Sequence, residues 1–160
     1  MISKLRPSES TSILNVVNIA SQVYKGVIFA DCWKEPYFTA EELKEEFGRG
    51  VEFYGWFEDA VLIGVMGIQP VNDVTLIRHA YVLTSHQRKG IGEKLLNHLV
   101  GLAQTKDIFV GTWKAAWWAI QFYEKNGFAL VPLDSRSKLR QYWRIPDKQA
   151  EMSVVLKLRK

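Results

Sequence analysis

The sequence predicts an α+β fold, in which a mixed, mostly antiparallel sheet is flanked by helices. Apolar, β-prone runs over residues 51–57, 61–71 and 74–83 follow one another with only a short polar turn between them. This spacing of strands and turns is typical of an antiparallel meander. Outside the meander, apolar residues recur at helical spacing. A length of 160 residues suits a single domain, residues 1–160, with a core of its own.

Before the meander, we expect a short strand and then a helix. Residues 2–5 can form a short strand that Pro7 ends. The helix begins at Ser8 or Ser10, either of which can accept hydrogen bonds from the first free N–H groups. Its apolar residues are spaced for one buried face, and Gly26 ends it.

A second helix opens with a capping box. Thr39 supplies the capping oxygen, and Glu42, three residues later, completes the box. Gly48 ends this helix. Residues 31–38, between the two helices, are predicted to be irregular because Pro36 opposes regular structure.

After the meander, helices and strands alternate. We predict a helix over residues 90–104, a strand over 108–112, a helix over 115–126, a strand over 128–131 and a last strand over 153–158. Residues 134–149 are polar and basic, which predicts a long loop. Loops of that length inside a compact domain are often functional.

The composition is that of an ordinary globular protein, and we expect it to be cytoplasmic. Hydrophobic residues make up 48% of the chain and charged residues 24%. No apolar run reaches the roughly 18 residues of a membrane span, and the N-terminus lacks the apolar core of a signal peptide. Cys32 is the single cysteine, which excludes an internal disulfide and leaves no reason to predict a metal site.

The net charge of +4 suits either a nucleic acid or a polyanionic small molecule. The lysines and arginines are spread along the chain, without a run of five or six like charges. Signatures of nucleic-acid-binding folds are absent from the sequence. Nucleic-acid binding therefore remains a less favoured alternative.

A basic, glycine-punctuated turn joins the third strand of the meander to the helix at 90–104. It reads Gln87-Arg88-Lys89-Gly90-Ile91-Gly92. Glycine permits φ > 0 and a close approach of the backbone to a ligand. The N-terminus of a helix offers free N–H groups and a dipole that favour an anion. The turn therefore predicts a pyrophosphate cradle, the alternative being a solvated basic turn in front of a surface helix.

Two motifs together resemble those of the GNAT superfamily of N-acetyltransferases. The first is the Gln-x-x-Gly-x-Gly pattern of the turn, which is similar to the acetyl-CoA-binding motif of that superfamily. The second is the run AIQFYEKNGF over residues 119–128, which resembles a later helix and the entry to the strand after it. The order and separation of the two motifs also agree. The resemblance covers most of the chain and is loosest before Val51.

The resemblance implies that acetyl-CoA, as the acyl donor, lies in a gap between two strands that splay apart. The backbone of the turn would hold the pyrophosphate, with two basic side chains reaching the phosphates, and the end of the preceding strand would pair with the pantetheine arm. The resulting candidate cofactor-binding residues are Tyr81, Val82, Leu83, Gln87, Arg88, Lys89, Gly90, Ile91, Gly92, Ala119 and Phe122.

Tyr123 is the candidate catalytic acid. In the superfamily, the tyrosine of a Phe-Tyr-Glu-Lys run often protonates the departing CoA thiolate, and the same run stands here. A phenol with a reference pKa of about 10 is a plausible acid for that thiolate. The alternative is a tyrosine that only packs in the core.

The general base is left open among His79, Glu35 and a chain of water molecules. The attacking amine must lose a proton, and the intrinsic pKa of histidine suits that task. The resemblance implies that a base from this strand would stand at the positions of Leu76 and Arg78. His79 lies on the other face, since side chains alternate along a strand. Without a bulge to change the register, His79 is better explained as a structural histidine that is hydrogen-bonded under a helix.

Tryptophans and one arginine are the candidate acceptor-binding residues. Trp113 and Trp117 stand near the start of the helix that includes Tyr123, where an aromatic wall would suit an apolar or cationic acceptor. Arg78 could bind an acidic group of the acceptor or orient the CoA arm. The alternative is that the tryptophans simply fill the core.

The sequence thus predicts an N-acetyltransferase that moves an acetyl group from acetyl-CoA directly to a primary amine of a small molecule or peptide. One alternative is an acyl-CoA-binding sensor that is catalytically silent, and the other is the basic nucleic-acid-binding domain. The predicted partners are acetyl-CoA and an amine acceptor, with no membrane and no metal. Dimerisation is common in the superfamily, so the resemblance also allows a homodimer.

Overall fold

A computed structural model describes residues 1–132 and 135–160 of the chain. The strands are β1 (Ile2–Lys4), β2 (Glu52–Glu58), β3 (Val61–Val71), β4 (Val74–Val82), β5 (Asp107–Trp113), β6 (Ala129–Leu130) and β7 (Ser153–Arg159). The α-helices are α1 (Ser10–Ala20), α2 (Ala40–Gly48), α3 (Ile91–Leu102), α4 (Trp117–Lys125), α5 (Ser135–Tyr142) and α6 (Asp147–Glu151). Short 3₁₀ turns over Pro7–Glu9, Ser21–Tyr24 and Thr84–His86 complete the description.

Within the described residues, seven strands form one sheet in the order β1-β2-β3-β4-β5-β7-β6. The β4–β5 pair is parallel, and the other described pairs are antiparallel. The predicted meander is present as β2, β3 and β4. The prediction of an α+β fold with a mixed, mostly antiparallel sheet flanked by helices is confirmed.

Separate hydrophobic clusters bury the two faces of the sheet. Leu95, Leu96 and Leu99 on the apolar face of α3 are fully buried in one cluster, which also includes residues of β3, β4 and β5. Ile13 of α1 and Leu43 of α2 belong to the other cluster, with residues of β2 and β3. Burial of apolar surface on both faces holds the sheet at the centre of the fold.

The α2 helix begins where the sequence predicts, whereas the predicted cap of α1 at Ser8 or Ser10 is wrong, because Glu9 is the N-cap and makes no side-chain capping hydrogen bond. The capping box of α2 is present, because Thr39 Oγ1 accepts a hydrogen bond from the Glu42 N–H at 3.1 Å and the Glu42 carboxylate accepts one from the Thr39 N–H. The α1 helix starts at Ser10 but ends at Ala20, and a 3₁₀ turn continues the chain toward Gly26, whose φ is +81°.

The predicted loop over residues 134–149 is wrong in its main feature, since α5 and α6 occupy most of it; Asp134 lies outside the described residues. The hydrophilic composition of this segment favoured a loop, but tertiary packing stabilises two helices there. Trp143 and Ala150 are buried in a third cluster with residues of β4, β5 and β7. Pro146 and Asp147 at the start of α6 form a helix-start signal that the sequence did contain.

A β-bulge interrupts the pairing of β3 with β4. Val65 pairs with Tyr81 and Gly67 pairs with Arg78, so His79 and Ala80 together lie opposite Met66. His79 has a φ of +53°, which is rare for a residue other than glycine. The extra residue changes the alternation of side chains along β4, which the sequence alone did not reveal.

The parallel pair of strands splays apart beyond the bulge. Residues 74–77 of β4 pair with residues 107–110 of β5, but the remainder of each strand, as far as Val82 and Trp113, has no partner in the other. Backbone groups that face this gap lack a strand to bond with, so they are available to a ligand.

Candidate active site

Two cavities open at the gap between β4 and β5. The larger, about 680 Å³, lies between the gap and the N-terminus of α3, and we call it the α3 cavity. The smaller, about 320 Å³, lies between the gap and α2, and we call it the α2 cavity. Tyr24 and Tyr81 line both cavities, so the two spaces meet at these side chains.

Most of the predicted cofactor-binding residues lie together in the α3 cavity. Those that line it are Tyr81, Val82, Gln87, Arg88, Gly90, Ile91, Gly92, Ala119 and Phe122, and the predicted acid Tyr123 lies with them. Leu83 and Lys89 are outside the lining. The Leu83 N–H donates to the Ile63 carbonyl at 2.9 Å, and Lys89 is exposed to solvent.

The turn before α3 is shaped to receive an anion. Arg88 and Gly90 have φ values of +65° and +78°, and α3 begins after Gly90 without a side-chain cap. The first N–H groups of the helix are therefore left for a ligand. A Cβ atom built on Gly90 would meet nothing within 4 Å, so there is open space in front of the turn.

The second glycine of the turn, Gly92, allows two helices to pack closely. A Cβ atom on Gly92 would lie 3.4 Å from the ring of Phe122, so the missing side chain lets α3 approach α4 closely. The Gln87 side-chain amide donates to the Val82 carbonyl at 3.3 Å and ties the turn to the end of β4. These contacts place the N-terminus of α3 beside the gap in the sheet.

Tyr123 is buried on the inward face of α4, with 5% of its surface exposed. Its ring packs against Phe122 and Phe128, with centroids 5.2 and 5.6 Å away. Burial, together with the neighbouring phenol of Tyr24, raises the pKa of Tyr123, so the hydroxyl keeps its proton at neutral pH. The side chain of Tyr123 lines the α3 cavity.

His79 lines the α2 cavity and is held there by Glu46 of α2. Its Nε2 lies 3.1 Å from Glu46 Oε2, and the same oxygen lies 3.2 Å from Arg78 Nη1. The bulge explains why two consecutive residues of β4 reach one carboxylate. Glu46 is 6% exposed and was not among the residues predicted from sequence, where it is one of several glutamates on a helix surface.

The protonation of this cluster follows from its contacts. Burial disfavours the ionised form of Glu46, but the hydrogen bond from His79 and the charges of Arg78 and Arg49 outweigh burial and lower the pKa of the carboxyl. Burial lowers the pKa of His79, which makes its ring neutral at pH 7. With Glu46 ionised, Nε2 must hold the proton it donates, so the lone pair of the neutral ring is on Nδ1.

The position of the imidazole ring is fixed by aromatic packing. It stacks on Phe38 with a centroid distance of 4.6 Å and on Phe53 with one of 5.7 Å. The two phenyl rings therefore hold the faces of the imidazole, and the Glu46 carboxylate holds its Nε2. A general base is often oriented by a second group in this way.

Arg78 is in the α2 cavity, but its guanidinium is already bonded to the protein. Besides Glu46, it donates to the Gln69 side-chain oxygen at 3.1 Å. Gln69 in turn donates to the Arg49 carbonyl at 3.0 Å. Arg78 therefore holds Glu46 in place, and the binding of an acidic acceptor by Arg78 stays a prediction.

The two predicted tryptophans have different locations. Trp113 is buried, lines the α2 cavity and donates from Nε1 to the Tyr37 hydroxyl at 2.8 Å. Trp117 is 63% exposed and lies outside both cavities, because it is on the outward side of α4. Its neighbour Trp118, one position along the helix, lines the α3 cavity instead.

Glu35 does not reach either cavity. Its carboxylate is exposed and pairs with Lys25 at 3.2 Å. It is therefore not placed to take a proton from a molecule in the α2 cavity, which corrects the prediction that named it as a candidate base. His79 is the sequence-predicted base that lies in that cavity.

Two further properties concern the described residues as a whole. Residues 1–132 and 135–160 contain no cluster of three or more His, Cys, Asp or Glu side chains arranged to hold a metal ion. No helix in this part of the chain combines the length and the apolar character needed to cross a membrane.

The sheet opens between two parallel strands beside an uncapped helix N-terminus, an arrangement whose free N–H groups suit an anionic ligand. The sequence model of the Acetyltransferase (GNAT) family matches residues 18–128, which include the turn, the gap and α4. The chain belongs to the GNAT acetyltransferase family.

Solved structures with the same fold extend over the whole chain. The PaiA N-acetyltransferase from Thermoplasma acidophilum in complex with coenzyme A is 20% identical with a TM-score of 0.77, covering 100% of this chain and 98% of that one. The ribosomal-protein-alanine N-acetyltransferase from Brucella melitensis is 13% identical with a TM-score of 0.68, covering 100% and 99%. N-acetylglutamate synthase from Neisseria gonorrhoeae, complexed with coenzyme A and N-acetyl-glutamate, is 18% identical with a TM-score of 0.66, covering 99% and 35%. At these identities the likeness shows the fold.

Proposed function

We propose that this protein is an N-acetyltransferase that moves an acetyl group from acetyl-CoA directly to a primary amine of a small molecule or peptide. One observation supports this most strongly: the α3 cavity, with the anion-binding turn, meets the α2 cavity, with a positioned histidine, at the gap between β4 and β5. A donor and an acceptor that enter from opposite sides would meet there. Holding both reactants in one geometry supplies much of the rate of such a transfer.

The α3 cavity is the proposed donor site. The N–H groups at the start of α3 and the side chain of Arg88 would hold the pyrophosphate. The unpaired backbone of β4, as far as Val82, would bond the amide groups of the pantetheine arm. Acetyl-CoA supplies the activated thioester, and the chain itself needs to provide only binding, orientation and proton transfers.

The proton transfers are assigned to Tyr123 and His79. The amine nitrogen forms a bond to the acetyl carbon while the carbon–sulfur bond breaks. We assign the proton lost from the amine to Nδ1 of His79, directly or through water, and the proton gained by the sulfur to the Tyr123 hydroxyl. Tyr123 remains protonated and His79 neutral at pH 7, which are the forms that these roles require.

The α2 cavity is the proposed acceptor site. Its wall combines the aromatic residues Tyr37, Trp113 and Trp143 with the His79–Glu46 pair. An aromatic wall of this kind suits an amine with an apolar body, because carbon surface packs on the rings while the nitrogen lies at the polar end.

Titration calorimetry with acetyl-CoA, followed by thiol-release assays over a panel of primary amines, tests the proposal. We expect binding of acetyl-CoA, and release of one CoA thiol for each acetylated amine. Binding without turnover across amino acids, aryl-alkyl amines, polyamines and peptides would favour the silent acyl-CoA sensor. Failure to bind acetyl-CoA would overturn the donor site itself, and a nucleic-acid titration at several salt concentrations would then test the remaining alternative.

Replacing Glu46 with glutamine is expected to lower kcat/KM by at least about 10-fold. This loss is smaller than the contribution of a general base, about 10²- to 10⁴-fold, because His79 itself remains. The glutamine no longer fixes the tautomer of His79. It also removes the contacts that raise the pKa of His79, while burial and Arg78, which lower it, remain. Because the base must be neutral, activity falls as the pH drops through this pKa. The acid limb of the pH profile should therefore move to lower pH.

The matched control for that variant is Glu41→Gln, on the exposed side of the same helix. It should leave the pH profile of kcat/KM unchanged. Thermal unfolding of both variants separates loss of positioning from loss of fold. An unchanged acid limb in folded Glu46→Gln would remove the His79–Glu46 pair from the proposed mechanism.

A further inference from the structure

The junction between the two cavities is occupied by the side chain of Tyr24. This residue is at the end of the 3₁₀ turn that follows α1, and it is 8% exposed. It lines both cavities, so any group that extends from the α3 cavity toward the α2 cavity must pass its ring. Tyr24 belongs to neither of the two motifs on which the sequence prediction rests.

Other aromatic rings hold Tyr24 at this junction. The ring centroids of Tyr37 and Trp118 lie 5.7 and 6.2 Å away, and those of Tyr81 and Trp113 lie 6.4 and 6.5 Å away. Contacts from loop, strand and helix on several sides leave the Tyr24 ring little freedom to turn aside. A buried aromatic cluster packed in this way forms a stiff wall.

The wall lies close to the proposed chemistry. Tyr24 and Tyr123 line the same α3 cavity, and the phenol of Tyr24 contributes to the raised pKa of Tyr123. If Tyr123 protonates the sulfur, the acyl group begins within reach of Tyr24. Extra methylenes on that group would have to displace the aromatic cluster or enter the acceptor's space.

We propose that Tyr24 restricts the donor to short acyl chains by narrowing the junction between the α3 and α2 cavities. This inference rests on the proposed acetyltransferase function and adds the donor specificity of the same site. Tyr24 is favoured over Tyr81 for this role. Tyr81 belongs to β4, so its side chain is placed by the strand that forms the gap, whereas Tyr24 narrows the junction from outside the sheet.

The test compares acetyl-, propionyl-, butyryl- and hexanoyl-CoA with wild type, Tyr24→Ala, Tyr24→Leu and Tyr24→Phe. Wild type should turn over hexanoyl-CoA with a kcat/KM at least about 10-fold below that for acetyl-CoA, and Tyr24→Ala should remove most of this difference. Tyr24→Phe keeps the ring and should keep the preference of wild type. Tyr54→Ala is the matched control, since Tyr54 packs against His98 and lines neither cavity.

Binding gives a second readout that does not need turnover. Calorimetry should show that Tyr24→Ala, or Tyr24→Leu if the alanine variant melts too early, gains affinity for hexanoyl-CoA relative to acetyl-CoA. Equal use of hexanoyl- and acetyl-CoA by wild type would overturn the inference, as would unchanged ratios in both folded variants. Absence of acetyl-CoA binding in wild type would instead overturn the proposed function, so the two failures are distinguishable.

Discussion

Replacing Gly90 with glutamate is expected to weaken acetyl-CoA binding by at least about 100-fold, since juxtaposing like charges costs several kcal/mol and each 1.4 kcal/mol is about tenfold. Gly90 has a φ of +78°, a conformation that costs an L residue roughly 1–2 kcal/mol. The new carboxylate would also project into the open space in front of the turn, where the proposed pyrophosphate lies. Both effects weaken the binding of the pyrophosphate, which is the most highly charged part of acetyl-CoA.

Two control variants separate these effects in the calorimetric measurement. Gly90→Ala adds the strain without the charge and should weaken binding less than Gly90→Glu. Gly101→Glu adds the same charge at the far end of the same helix, at another glycine whose Cβ would meet nothing within 4 Å, and should bind like wild type. If Gly90→Glu is folded and binds acetyl-CoA with the affinity of wild type, the turn is not the pyrophosphate site.

Replacing Tyr123 with phenylalanine is expected to lower kcat by about 10²- to 10⁴-fold, the usual contribution of a positioned general acid. The ring remains and continues to pack on Phe122 and Phe128, so the fold and the affinity for acetyl-CoA should change little. The loss should appear in kcat and not in the dissociation constant of acetyl-CoA, because the hydroxyl acts on the sulfur as it departs.

The measurement is a steady-state assay beside calorimetry, with Tyr54→Phe as a control that removes a tyrosine hydroxyl outside both cavities. A Tyr123→Phe enzyme with kcat within about threefold of wild type would show that water or another group protonates the sulfur. An equal fall in acetyl-CoA affinity and in kcat would instead indicate that the hydroxyl binds the donor.

Features encoded within short stretches could be predicted from the sequence. The capping box of Thr39 and Glu42, the meander, and the glycine turn before α3 depend on residues a few positions apart, so their patterns are visible without the fold. The predicted cofactor-binding residues are mostly clustered in one cavity because they come from that turn and the strand end beside it. Pro146 and Asp147 also form a local helix-start signal, although the polar composition of the segment predicts a loop.

Features that depend on contacts between distant segments were decided only by the tertiary structure. His79 faces Glu46, 33 residues earlier in the chain, because a bulge opposite Met66 changes the alternation of side chains in β4. Sequence periodicity assumes an unbroken strand and cannot locate such a bulge. The junction at Tyr24 likewise forms where a turn after α1 packs against β4, β5 and α4. Local spacing determines helices, turns and caps, whereas long-range packing determines which side chains share a cavity.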